Sequence, residues 1–298
     1  MSIPSNTENS NRSSNLLKIA IQKSGRLSEK SLALLKECGI QITTSPNALR
    51  AEASNFPLEI LFLRDDDIPE YVQDGVADVG IIGENVMLEK GKKLELVDRL
   101  GFAKCRLSLA VPRGTTYDDV SFFDGKRIAT SYPKILGEYF KEKNVNAEIH
   151  MISGSVEIAP SIGLSEGVCD IVSSGSTLLS NGLKEVETVL KSEAVLVANP
   201  NFNGEKRKNF EKLLFRMQSV RRSHKNKYIL LNAPKSKLNA IIAVLPGLKS
   251  PTIMPLVDDN WVSVHTVINE DDFWGKIDAL QEAGAEGILV IPIEKMIV

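Results

Sequence analysis

The sequence predicts an α/β fold in which the backbone crosses twice between two lobes and then forms a separate βαββαβ module. Three observations carry this expectation. From residue 16 to about 200, short apolar runs alternate with helix-period stretches, the pattern of buried strands in layered α/β folds. After the second set of such units come a strand-like run, Ala194–Ala198, and a charged amphipathic stretch from Glu205 to Lys225 with Phe210, Leu213, Leu214 and Met217 at helical spacing, so the chain returns to its first lobe. From Lys227 the order becomes β, α, β, β, α, β, that of a ferredoxin-like sandwich of about seventy residues.

These elements set the expected boundaries: 16–110 with 190–224 for the first lobe, 111–189 for the second, and 225–298 for a regulatory module. Residues 1–15 are polar and rich in Ser and Asn, and are expected to be a disordered extension. In the first lobe, strands are predicted at Leu16–Ile21, Leu58–Leu63 and Asp78–Ile82, each followed by a helix: Ser28–Cys38, Asp66–Asp74 and Glu84–Glu89. A strand near Cys105–Val111 precedes the crossing at Pro112-Arg113-Gly114. The second lobe has strands at Arg127–Thr130, Glu148–Ile152 and Asp170–Val172, with helices near Pro133–Lys143 and Ser155–Gly167. The module reads as Tyr228–Leu231, Lys235–Val244, Pro251–Leu256, Trp261–Ile268, Asp271–Ala283 and Gly287–Ile293. Its apolar strands predict faces packed against helices or other subunits.

Composition narrows the function classes. With 298 residues, 43% hydrophobic, 25% charged and a net charge of −2, the chain has the makeup of a globular protein of two or three domains. The dispersed basic residues argue against nucleic acid and anionic membranes as partners. No apolar stretch approaches the ~20 residues that span a bilayer. The first fifteen residues lack the apolar core of a signal peptide, so the expectation is a cytoplasmic protein with free thiols at Cys38, Cys105 and Cys169. His150, His224 and His265 lack metal-ligand spacing, and no nucleophile–base constellation is evident.

The most informative segment is Cys169–Leu178, CDIVSSGSTL. A strand ending in an acid, then hydroxyls around a glycine, then a short helix would aim backbone N–H groups at an anion. Asp170 suits sugar hydroxyls. The plainer reading is a helix cap. In Gln22–Ser28, Lys23 and Arg26 flank Gly25, which permits close backbone approach; the plainer reading there is an exposed turn with Ser28 as N-cap. Arg64 precedes Asp65-Asp66-Asp67, acids that favour a helix start. Asp78–Asn85 forms another strand-to-helix corner, where Gly83 leaves room for a ligand. Arg106 and Ser108 share one side of a strand, facing either the cleft or solvent. Tyr132 and Glu157 open two further corners, Glu157 reaching a ribose hydroxyl or serving only as a first-turn acid. Cations from one lobe (Lys23, Arg26, Arg64, Arg106) thus oppose hydroxyls and acids from the other.

Taken together, Ile21–Leu27, Leu63–Pro69, Asp78–Asn85, Cys105–Ala110, Ile128–Pro133, Gly154–Pro160 and Asp170–Leu178 resemble the ATP phosphoribosyltransferase family. The C-terminal blocks Lys227–Ile229, Leu245–Gly247, Ser250–Leu256 and Ile291–Met296 are similar to its long form. The resemblance implies a periplasmic-binding-protein-like two-lobed catalytic region and an ACT-like regulatory domain. It implies transfer of phosphoribosyl from phosphoribosyl pyrophosphate to N1 of ATP, a requirement for magnesium (Mg2+), inhibition by histidine, and assembly as a hexamer built of dimers. It further implies Arg26, Arg64 and Asp170 as catalytic residues. Phosphoribosyl pyrophosphate falls to Glu157, Asp170, Ser173, Ser174, Gly175, Ser176 and Thr177. ATP falls to Lys23, Gly25, Arg26, Arg64, Asp78, Arg106 and Tyr132, and histidine to Asn232 and Thr252. No protein ligand for magnesium is nominated. The rival expectation is a non-catalytic two-lobed binding or effector-sensing protein, because fold alone does not settle function.

Overall fold

The computed structural model describes residues 15–45, 48–245 and 247–298. Apart from Asn15, the extension expected over 1–15 lies outside the described residues. The chain divides into two compact units: one runs to Ala33 and from Ile40 to Asn209, the other comprises Leu34–Gly39 and Phe210–Val298.

The first unit contains both lobes. Along the chain come β1 (Leu17–Gln22), α1 (Arg26–Glu37), β2 (Arg50–Glu52), β3 (Leu58–Leu63), α2 (Ile68–Gln73), β4 (Val79–Gly83), α3 (Glu84–Lys90) and β5 (Glu95–Arg99). The second lobe follows with β6 (Cys105–Pro112), β7 (Arg127–Thr130), α4 (Pro133–Lys143), β8 (Glu148–Met151), β9 (Gly167–Val172), α5 (Ser176–Ser180) and β10 (Leu183–Ser192). β11 (Ala194–Ala198) then rejoins the first sheet and leads to α6 (Gly204–His224).

The first sheet has the order β2-β3-β1-β4-β11-β5, the second β10-β6-β9-β7-β8. β1 runs parallel to β3 and β4, whereas β11 is antiparallel to its neighbours. Parallel central strands are covered on both faces, which is why the runs LKIAIQ and LEILFL are almost continuously buried. Gly80 is required where α2 meets β4, since a Cβ there would sit 2.8 Å from Ile68 Cγ2. In the second lobe Leu107, Leu109, Phe123, Ile128, Leu136 and Phe140 form the core.

Two expectations change. The run Cys105–Ala110, read with the first lobe, is β6 of the second sheet, paired with β9 and β10, so the crossing falls before Cys105. The helix expected over Ser155–Gly167 reduces to a 3-10 turn at Val156–Ile158. Ser155 and Gly163 take positive φ, and Pro160 removes a donor between them.

The second unit realises the βαββαβ order: β12 (Asn226–Pro234), α7 (Leu238–Val244), β13 (Thr252–Pro255), β14 (Trp261–Asn269), α8 (Glu270–Glu282) and β15 (Glu286–Pro292). The sheet order β13-β14-β12-β15, with antiparallel pairs throughout, is the ferredoxin-like one. Ile229, Leu231, Ala233, Val262 and Val264 pack on one face against Ile241, Phe273 and Leu280. The unit begins before the expected residue 225, because α6 from Phe210 onward and Leu34–Gly39 belong to it. Among the described residues no helix is long and apolar enough to cross a membrane.

Candidate active site

In the first lobe the site lies at the C-terminal ends of β1, β3 and β4, the usual ligand edge of an open parallel sheet. The turn after β1 holds Gly25 at φ +91° with open space where a Cβ would point. Lys23 and Arg26 are exposed beside it, and Arg64 is exposed at the end of β3. Among the described residues no carboxylate pairs with any of the three. α1 starts at Arg26, so Ser28 is a buried helical residue rather than the N-cap.

Asp65 begins the 3-10 turn that follows Arg64, and its Oδ1 is buried without a hydrogen-bond partner. Burial, reinforced by the negative charge of Asp66 and opposed by Lys90, raises its pKa to about 6. Gly83 does not leave room for a ligand as expected. A Cβ there would collide with Asn85 Oδ1, because the Asn85 side chain folds back over the strand end. Asn85 is buried and joins the lobes: its Nδ2 donates to Tyr132 Oη (3.1 Å), and Ser192 Oγ donates to its Oδ1 (2.8 Å). Burial, and then the charge of Asp170, raise the pKa of Tyr132, keeping it a neutral phenol. A second link joins helix ends. Glu89 accepts from the backbone N–H of Lys134 (2.9 Å) and Ile135 (3.0 Å), while Lys134 Nζ donates to Leu88 O (3.2 Å).

From the second lobe β9 delivers Asp170 and the hydroxyl loop. Gly175 at φ +83° turns the chain into α5, whose start no side chain caps. Ser173, Ser174, Ser176 and Thr177 are exposed around it. Asp170 accepts from Ile171 N–H (2.8 Å); burial raises its pKa, and the like charge of Glu157 adds to the rise. Glu157 is therefore close, and the loop, Asp170 and Glu157 form one group.

Two nucleotide-side residues are placed differently from expectation. Arg106 lies on β6, in the same lobe as the loop. Its Nε and Nη2 donate to Glu185 (both 2.5 Å), which also accepts from Ser108 Oγ (2.8 Å). Arg106 and Ser108 do share a side, but they face a carboxylate. Asp78 lies before the first residue of β4, at the opposite end of the strands from Lys23 and Arg64. Its buried carboxylate accepts from Lys18 N (2.8 Å) and from Lys206 Nζ (2.9 and 3.0 Å), beside a separate cavity of 440 Å³. The structure thus does not bring Asp78 to this site.

Cavities flank Arg106. One, of 630 Å³, is lined by Glu84, Arg99, Lys104, Arg106, Ser173 and Lys191. The other, of 670 Å³, borders Arg113, Ser174, Gly175, Ser176 and Glu185. Arg99, Lys191 and Glu185 on strands, and Lys104 and Arg113 in the segments flanking β6, escaped the sequence reading, since charge is their only local signal. Among the described residues no three His, Cys, Asp or Glu side chains gather as a metal cage.

In the second unit, Asn232 is half-buried on β12, opposite Ser263, and Thr252 is exposed on β13, opposite His265. His265 lies on the strand between them, bonded to Tyr228 Oη (2.9 Å) and Ser263 Oγ (3.0 Å). The face away from the helices also exposes Met254, Leu289 and Ile291.

The chain matches ATP phosphoribosyltransferase over residues 64–219 and the HisG C-terminal domain over 223–295. The ATP phosphoribosyltransferase of Bacteroides thetaiotaomicron is 59% identical over 283 residues, covering 95% of this chain and 100% of that protein. That of Cytophaga hutchinsonii is 56% identical, covering 95% and 99%. In structure, the ATP phosphoribosyl transferase (HisG:HisZ) complex from Thermotoga maritima superposes with a TM-score of 0.59 at 32% identity, covering 68% of this chain and 96% of that one. With relatives this similar along nearly its whole length, the chain belongs to the ATP phosphoribosyltransferase family.

Proposed function

We propose that this chain transfers the 5-phosphoribosyl group of phosphoribosyl pyrophosphate to N1 of ATP with release of pyrophosphate, the first step of histidine biosynthesis. The observation that carries the reading is a hydroxyl loop, Ser173–Thr177 with Asp170, on one lobe and Lys23, Arg26 and Arg64, exposed and unpaired with any described carboxylate, at the strand ends of the other, with Tyr132 feeling the charge of both Asp170 and Asp65. The adenine N1 lone pair is unprotonated at neutral pH, so it forms the bond to the anomeric carbon without a strong general base. The bond from that carbon to the pyrophosphate oxygen breaks, and the negative charge that leaves is the harder species to stabilise. Arg26 and Arg64 suit that task, while Asp170 and Glu157 hold ribose hydroxyls and the loop fixes the 5-phosphate for in-line attack.

The residues fit magnesium arriving on the substrate's own phosphate oxygens, since the ion rarely needs an all-protein cage and, among the described residues, no three His, Cys, Asp or Glu side chains gather to form one. When bound, the ion neutralises pyrophosphate charge. Histidine inhibition belongs to the second unit. From strand spacing, Asn232 and Thr252 stand about 12 Å apart across β14, a span that one histidine with a hydrogen bond at each end covers. The exposed apolar sheet face of that unit supports association of copies into a hexamer, and the composition suits the cytoplasm.

The test is direct. Protein, ATP, phosphoribosyl pyrophosphate and magnesium should release pyrophosphate and gain the absorbance of N1-substituted adenine; a folded protein giving neither is not this enzyme. Thr252→Ala should weaken histidine inhibition several-fold with the uninhibited rate unchanged, and an unaltered titration rejects that contact.

A further inference from the structure

We propose that Glu185 is a positioning residue for phosphoribosyl pyrophosphate, a brace that holds Arg106 and Ser108 beneath the Asp170–Thr177 loop. The inference rests on the reading of that loop as the phosphoribosyl site.

The register of the second sheet brings these residues together. Across the antiparallel pairs, Ser108 is opposite Asp170, Arg106 opposite Val172 and Glu185 opposite Ala110. Directly opposed residues share a face, and period two puts Arg106, Ser108 and Ala110 on one side of β6. One face of the sheet therefore carries Asp170, Ser108, Arg106 and Glu185 as neighbours. β10 slips register between Glu185 and Glu187 and again between Thr188 and Leu190. Such bulges re-aim side chains near sites, and here the carboxylate reaches back along β6 over both Ser108 and Arg106.

The contacts complete the brace. Both Glu185 oxygens are taken by the Arg106 fork, and Ser108 Oγ adds a third donor at 2.8 Å. The remaining Arg106 nitrogen, Nη1, lies 3.5 Å from the Ser173 carbonyl oxygen, at the limit of a hydrogen bond. Arg106 thus ties the fixed carboxylate to the first residue of the turn, and Ser108 ties it to the strand position opposite Asp170. Glu185 also borders the cavity lined by Ser174, Gly175 and Ser176. A bidentate pair fixes the orientation of a guanidinium as a single point charge does not. Without the carboxylate, the fork is free to swing away from Ser173.

The experiment compares wild type, Glu185→Gln, Arg106→Gln, Arg106→Lys and the Glu185→Gln/Arg106→Gln double variant of the full chain. Calorimetry gives the Kd of phosphoribosyl pyrophosphate alone, and steady-state kinetics give KM for each substrate. Each single change should raise the Kd for phosphoribosyl pyrophosphate about tenfold and leave KM for ATP within about twofold. The double variant should be no worse than the poorer single, as expected of residues acting through one another. Arg106→Lys should fail to rescue, because an ammonium lacks the fork. A silent Glu185→Gln beside a rescuing Arg106→Lys would make Arg106 a direct phosphate clamp and overturn the proposal. So would equal rises for both substrates accompanied by a fall in Tm. A wild type that turns over ATP yet shows no loop-dependent phosphoribosyl pyrophosphate binding would remove this role while leaving the activity standing.

Discussion

In the first lobe Lys23, Arg26 and Arg64 stand exposed with no ion pair to any carboxylate among the described residues, and Asp65 is left with an unpartnered buried oxygen. In the second lobe Arg106 and Glu185 satisfy one another, and pairing with Arg106 lowers the Glu185 pKa despite some burial. Charges without protein partners are available to a polyanion that comes and goes. Charges already paired are better suited to hold backbone in place. The difference teaches that one lobe supplies electrostatics to the reaction while the other supplies geometry.

The largest effect that could break this contrast is expected at Arg64. Arg64→Ala should lower kcat/KM by about 10²–10³, the usual loss for one transition-state charge stabiliser, as read by pyrophosphate release; a change below about threefold would remove the first lobe's part. Next is Asp65. Its folded pKa of about 6 stands above the ordinary 3.8 of an aspartate, so the folded state binds more protons than the unfolded one between those pH values, and stability falls as pH rises through the window. The full penalty is present above about pH 6 and is at most roughly 3 kcal/mol. Asp65→Asn should therefore raise Tm by several degrees at pH 7.5 and by little at pH 4. A gain of the same size at both pH values would show that the charge is not its cause. The smallest effect belongs to Asp170→Ala, which should raise KM for phosphoribosyl pyrophosphate about tenfold and that for ATP less than twofold. Equal rises would blur the division between the lobes.

The parts legible in sequence are those encoded locally. β1, β3, the loop from Ser173 to Gly175, and the βαββαβ order each follow from a few consecutive residues, and all stand where the patterns put them. What escapes depends on distant partners. β2, read ArgAlaGlu, and β5, with exposed ends, are edge strands with little apolar content. β10 alternates charge with apolar residues, but two register slips break the period. Arg106 shows the same limit at a single residue. Its sequence neighbours give a strand, while its lobe and its partner are set by Glu185, seventy-nine positions away. Asp78 likewise looks like part of a ligand corner until Lys206, from beyond the second lobe, closes over it.

The double passage between the lobes also constrains how they move. The two crossing segments are laced side by side: Leu100 N–H donates to Ala194 O (2.8 Å), and Ala194 N–H donates to Phe102 O (2.9 Å). Between Leu100 and β6 the outward segment carries Gly101 at φ +79° and Ala103 at φ +51°, the latter a conformation that non-glycine residues rarely adopt. Two strips fastened along their edges behave as a leaf spring, compliant in flexure and stiff in torsion. Flexure at this double crossing is thereby the softer direction, and twisting of one lobe about the other the stiffer one.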